Sequence, residues 1–181
     1  MDPLEENVGL FFVVLVAKRN AQQFEANARV LTVFDRQGKV VTTVGARALY
    51  NQPVFSPDRS RLAVIEFDLD SETADLLVMD VATGDSKRIS SSQPGENVGT
   101  PVWSPDGSQV AYVALRAGYE GLYRKASNGA GPEELLYQHP GAGMVLTDWS
   151  TDGRFLSFSA TDLVAGTLYA APRWRWQART D

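Results

Sequence analysis

Short apolar runs separated by turn residues follow one another along most of the chain. Residues 8–18 are dense in Val, Phe and Leu and predict a strand buried on both faces, with a short core helix as the alternative. A polar loop over 19–27 leads to a hairpin, 30–35 with 40–44, turned at Gln37-Gly38. Residues 46–52 read as a connector. A four-strand unit follows: 53–56, 61–67, 75–81 and 87–90, with an acidic loop at 68–73 and a Ser/Gly/Pro-rich link at 91–99. The order repeats as 101–104, 109–115, 121–126 and 133–138, with a loop at 116–120 and a link at 139–143. It begins a third time as 146–150, 154–160 and 167–171.

The first two strands of each unit meet at related turns: Phe55-Ser56-Pro57-Asp58-Arg59, Trp103-Ser104-Pro105-Asp106-Gly107 and Trp149-Ser150-Thr151-Asp152-Gly153. The serines stand 48 and 46 residues apart (104 − 56 and 150 − 104). Pro presets φ for a type I turn, Ser and Asp cap backbone N–H groups, and Gly takes the left-handed position that closes the hairpin. Arg59 replaces that Gly in the first copy, and Thr151 replaces Pro in the third. The aromatic before each serine is placed to pack between neighbouring sheets. Four short strands repeating every 40–50 residues or so are the signature of a propeller blade. The expected fold is therefore all-β: a β-propeller of four-stranded antiparallel blades, about three and a half to four in this chain. The units divide as an N-terminal tail 1–7, a partial first blade 8–45, a second blade with its connector 46–99, a third 100–145, a partial fourth 146–172 and a C-terminal tail 173–181.

These turns, with Leu62-Ala63-Val64, Val110-Ala111-Tyr112 and Leu122-Tyr123, resemble the TolB-type, WD-repeat-like propeller family over roughly residues 29–171. Residues 31–39 and 130–136 also resemble propeller segments of large bacterial proteins, some of which follow a serine/threonine kinase domain. The resemblance implies an interaction or sensor module with a protein or peptide partner, in a periplasmic or otherwise extracytoplasmic setting. The alternative it allows is the accessory propeller of a larger enzyme, a kinase or a prolyl-oligopeptidase-like hydrolase. The family usually closes its ring with more blades. The chain then reads as a fragment, a small ring, or an open arc that self-associates through its free sheet edges.

Composition narrows the chemistry. No cysteine is present, so disulfides, thiolate metal sites and a Cys nucleophile are excluded. A single histidine, His139, excludes a multi-His metal site within one chain and has no nucleophile motif to serve. The net charge of −5 disfavours nucleic acid as a partner. Residues 8–17 are about half the roughly 20 needed to span a bilayer, and acidic Asp2, Glu5 and Glu6 precede them, so neither membrane insertion nor a signal peptide is expected from this segment. Gly129-x-Gly131 and Gly141-x-Gly143 lack the third glycine of a dinucleotide loop; turns account for them, and no cofactor is expected. Asp68, Asp70, Glu72 and Asp75 lack the Gly and distal Glu of a calcium loop and read as a solvated loop. Asp58, Asp106 and Asp152 read as turn residues. The tail Arg173–Arg179 alternates Arg and Trp, and reads as a terminus or edge strand.

No catalytic, cofactor or metal residue is therefore assigned. In a meander the second-to-third loops and the links between blades share one end, and recognition favours loops on a rigid scaffold. The candidate partner-binding residues at that end are Asp70, Glu72, Asn97, Arg116, Tyr119, Glu120 and Asp162.

Overall fold

The computed structural model describes residues 12–17, 28–68, 70–139, 143–161 and 166–172. Among the described residues every regular element is a β-strand, and paired strands run antiparallel. β1 (Phe12–Ala17), β2 (Arg29–Phe34) and the first half of β3 (Val40–Phe55) form the opening sheet. The second half of β3 pairs with β4 (Arg61–Asp68), followed by β5 (Thr73–Asp80) and β6 (Ser86–Arg88). Because β3 is shared, pairing runs through six strands in chain order. A four-stranded sheet holds β7 (Asn97–Trp103), β8 (Gln109–Arg116), β9 (Tyr119–Ala126) and β10 (Glu134–His139). A three-stranded sheet holds β11 (Val145–Trp149), β12 (Phe155–Thr161) and β13 (Gly166–Pro172).

The expected hairpin over 30–44 is present. Asp35 accepts the N–H groups of Gln37 and Lys39 on Oδ1, each at 2.9 Å, and Gly38 turns the chain at φ 78°. The expected connector at 46–52 is instead part of β3. Gly45 at φ 71° lets the strand change direction. Leu49, Tyr50 and Asn51 then pair with Phe67, Glu66 and Ile65. The run Ala46–Gln52 has little β-branched character; it is a strand because β4 supplies a partner edge, which local propensity does not encode.

The period of two along the strands decides the packing. Leu62 and Val64 of β4, with Leu77 and Met79 of β5, face Leu31, Val33 and Val44 of the preceding sheet. Their neighbours Ala63, Ile65, Leu76 and Val78 face the other way, onto Val98, Trp103, Val110 and Tyr112. In β8 the same alternation sends Ala111 and Val113 onward to Leu146, Trp149, Leu156 and Phe158. Central strands buried on both faces, sheet stacked on sheet, are the packing of propeller blades. Phe55, Trp103 and Trp149 each join the cluster formed with the preceding sheet. Among the described residues the chain forms a partial propeller: three strands of a first blade, two four-stranded blades and three strands of a last one.

Candidate functional site

The blades have two differently built ends. At the first end lie the repeated turns. Ser56, Ser104 and Ser150 each donate their hydroxyl to the aspartate two residues on, at 2.6 Å in all three copies. The same hydroxyls accept the N–H of Arg61, Gln109 and Phe155 at 2.8–3.0 Å. Asp58, Asp106 and Asp152 also accept the N–H two residues further along. Arg59, Gly107 and Gly153 occupy one left-handed position, with φ of 62°, 69° and 71°. The three turns are therefore one structure, despite Arg59 and Thr151. These hydrogen bonds hold the aspartates ionised. Asp106 is lowered to about 2, first by the Ser104 hydroxyl and then by the Ser108 backbone N–H. Asp58 and Asp152 are lowered too, the serine hydroxyl again being the main cause.

At the second end the first strands of successive blades, residues 49–55 of β3, β7 and β11, lie against one another. Each slips register, between Asn51 and Val54, Gly99 and Val102, and Leu146 and Asp148. At two of these bulges a residue directly before proline is left-handed: Gln52 at φ 52° and Thr100 at φ 50°. Their side chains reach across to the next blade. Gln52 accepts the N–H of Thr100 on Oε1, and Thr100 accepts the N–H of Leu146 on Oγ1 at 3.2 Å. Trp103 adds a bond from its indole N–H to the Val54 carbonyl at 3.0 Å.

A cleft of about 490 Å³ opens beside these bulges. Asn51, Gln52, Asn97, Thr100 and Glu120 supply its polar groups, and Phe67, Val98, Leu115 and Met144 its apolar surface. Of the residues picked from sequence, the structure brings Asn97 and Glu120 into this cleft. Glu120 is partly engaged, since it accepts the Met144 N–H. Asp70 and Glu72 are exposed in the loop after β4, where Asp70 donates its N–H to Asp68 and Glu72 sits at φ 53°. Tyr119 is exposed at the start of β9. Arg116 turns into the blade: it pairs with Glu133 at 3.0 Å and stacks over Tyr123, while the buried Tyr112 donates its hydroxyl to the same carboxylate oxygen. Burial and Glu133 both push the Tyr112 phenol upward, so it stays protonated as a donor. Asp162 lies outside the described residues.

Sequence reasoning missed Gln52 and Thr100. The signal was present: both precede a proline, and they stand one repeat apart, at 52 and 100. It missed Phe67 and Met144 because nothing local marks an apolar residue as lining a cleft. Asp75, grouped in sequence with the acidic loop, is buried. It takes bonds from Arg88 at 2.8 Å, the Ser90 hydroxyl at 3.0 Å and the Ser92 N–H at 2.8 Å, and so pins the link to the next blade.

The comparisons with known proteins agree with this architecture. The Tol-Pal system protein TolB of Alcanivorax borkumensis is 33% identical over 95 residues, which are 52% of this chain and 21% of that protein. The crystal structure of TolB from Acinetobacter baumannii superposes with a TM-score of 0.70 at 22% identity, covering 91% of this chain and 39% of that one. The β-propeller domain of the Trilobed protease from Pyrococcus furiosus, described as having an open velcro topology, superposes at 0.62 with 12% identity, covering 91% and 51%. The chain thus spans about a fifth of its curated relative and about two fifths of the solved TolB. The family described as the TolB beta propeller domain matches residues 8–171, and this chain belongs to it.

Proposed function

We propose that this chain is a non-catalytic propeller module that binds a protein or peptide at the bulged end of its blades. The observation that carries the reading is the cleft itself. Polar side chains and apolar surface converge there on three first strands that are cross-linked by Gln52, Thr100 and Trp103. A concave site of mixed character on a rigid scaffold suits an extended peptide. The name of the curated relative, a Tol-Pal system protein, agrees with a role among other proteins.

The test is peptide selection from a displayed random library on the whole chain. Asn97→Arg and Phe67→Asp place bulk or charge in the cleft at exposed positions. Selected peptides should lose about tenfold or more in affinity for both variants, equivalent to about 1.4 kcal/mol, while thermal melting stays unchanged. Equal affinity for parent and variants, or no enriched peptide, defeats the reading.

A second reading rests on the likeness to the protease propeller: an accessory module of a larger enzyme, with the same cleft facing a neighbouring domain. A kinase or hydrolase domain in the same reading frame would favour it. Self-association through an open sheet edge, completing the ring, is part of the same proposal. Light scattering on the same samples checks it, and a monomeric mass would count against it.

A further inference from the structure

Because the turns repeat, one junction between blades can be compared with the next. At the junction of the second and third blades, Arg61 begins β4. Its guanidinium carbon lies 4.9 Å from the centre of the Trp103 ring. One Nη donates to the Gly107 carbonyl and the other to the Ser127 hydroxyl, each at 2.9 Å. The cation is thus sandwiched by an indole and two oxygens at the turn end of the blades.

One repeat later the equivalent positions are Gln109, Trp149 and Gly153. Gln109 and Arg61 hold the same place, each donating its N–H to the turn serine. The shorter, neutral side chain leaves a cleft of about 200 Å³, lined by Gln109, Trp149, Ser104, Asp106, Asp152 and Gly153 among others. The indole differs correspondingly. Trp103 donates to the Val54 carbonyl, whereas Trp149 donates to the Gly153 carbonyl at 3.2 Å, the counterpart of the oxygen that receives Arg61. Two carboxylates border the cleft. The three bonds to Asp106 all fall on Oδ1, and Asp152 keeps Arg154 at a loose 3.6 Å.

We propose that this cleft is a guanidinium subsite, in which an arginine side chain from outside the folded sheets takes the place that Arg61 holds one repeat earlier. A flat guanidinium lies against the part of Trp149 that stays exposed, 6% of its surface, and directs its forked donors at Asp106, Asp152 and the remaining lone pair of the Gly153 carbonyl. A lysine ammonium lacks both the plane and the fork. The site is at the opposite end of the blades from the peptide cleft and does not depend on it.

Two sources of arginine are available: a partner, or residues Arg173, Arg175 and Arg179 of this chain. Pro172, the last residue of β13, pairs with Phe155, the residue that closes the 150–155 turn, so β13 ends at the same end of the blade as the cleft.

The test follows the Trp149 indole N–H by NMR, in the full chain, as Nα-acetyl-arginine amide is added. A saturable shift is expected, half-complete on the order of 1–10 mM, with Nα-acetyl-lysine amide several-fold weaker. Gln109→Arg should fill the cleft from within, abolish the shift and raise the melting temperature. In the triple variant Arg173→Ala, Arg175→Ala, Arg179→Ala, several-fold tighter binding identifies the chain's own tail as the occupant; unchanged binding identifies a partner. The proposal falls if Trp149 shows no saturable shift in either the parent or the triple variant. It falls equally if Gln109→Arg binds the arginine probe as well as the parent does.

Discussion

At one end of the blades, three copies of a turn hold serine and aspartate against their own backbone. At the other end, Gln52, Thr100 and Glu120 reach across to the backbone of the next blade, and Asp75 reaches from β5 to the link at 90–92. The repeated turns are local: each bond of their serines closes within five residues, and beside them Arg61 crosses to Gly107 and Ser127 of the next blade. The bulged end is long-range: the Gln52 and Thr100 bonds span 48 and 46 residues. The difference separates two kinds of stability. Local turns set the shape of each hairpin, whereas the cross-blade bonds set how one blade sits on the next and hence the shape of the cleft between them.

The largest test of this contrast is Asp75→Ala. It leaves the buried Ser90 hydroxyl and the Ser92 N–H without their acceptor and frees Arg88. A loss of about 3 kcal/mol is expected, the scale for breaking a buried polar network, read as a lower midpoint in urea. It should also loosen amide protection over residues 89–96. If protection there is unchanged, the link is held by something other than Asp75.

Ser104→Ala probes the local end. The buried hydroxyl is lost to both Asp106 and the Gln109 N–H, at about 1–2 kcal/mol, with hydrogen-exchange changes confined to residues 103–110. The variant should also be less acid-sensitive. Asp106 titrates lower in the folded chain than in the unfolded one, so its contribution is complete above about pH 4 and is lost as pH falls toward about 2. Without the Ser104 hydroxyl, the main cause of that shift, the acid limb of the stability curve should flatten. An acid limb identical to the parent's would reject this account.

The smallest effect is a gain. Arg59 holds the left-handed position that Gly107 and Gly153 hold in the other copies. Arg59→Gly removes strain of about 1 kcal/mol and loses part of it to the freer unfolded chain. A net gain of about 0.5 kcal/mol is expected, a rise of about 1–2 °C in melting temperature. A lower melting temperature would mean that the contacts of the arginine side chain outweigh its backbone strain.

Much of the fold was legible because its information is local and repeated. Ser-x-Asp at spacings of 48 and 46 marked the turns, the apolar runs at 61–67 and 109–115 marked the central strands, and the aromatic before each serine marked the blade interface. The candidate site was legible only in part. Asn97 and Glu120 were placed at the cleft end by topology alone, whereas Gln52, Thr100, Phe67 and Met144 become neighbours only when blades stack. Arg116 looked like a loop residue by position, yet Glu133 and Tyr123 draw it inward.

The chain's own order of residues determined the blade repeat, the common turn and the central strands that are apolar on both faces. These follow from backbone preferences and short apolar runs that act within a few residues. Tertiary structure alone decided that 46–52 is strand, that Asp75 is buried, and that one junction is closed by Arg61 while the next, with Gln109 in its place, stays open. Those outcomes depend on which groups meet across 40 or more residues, where stacking of whole sheets sets the distances and no local propensity reports them.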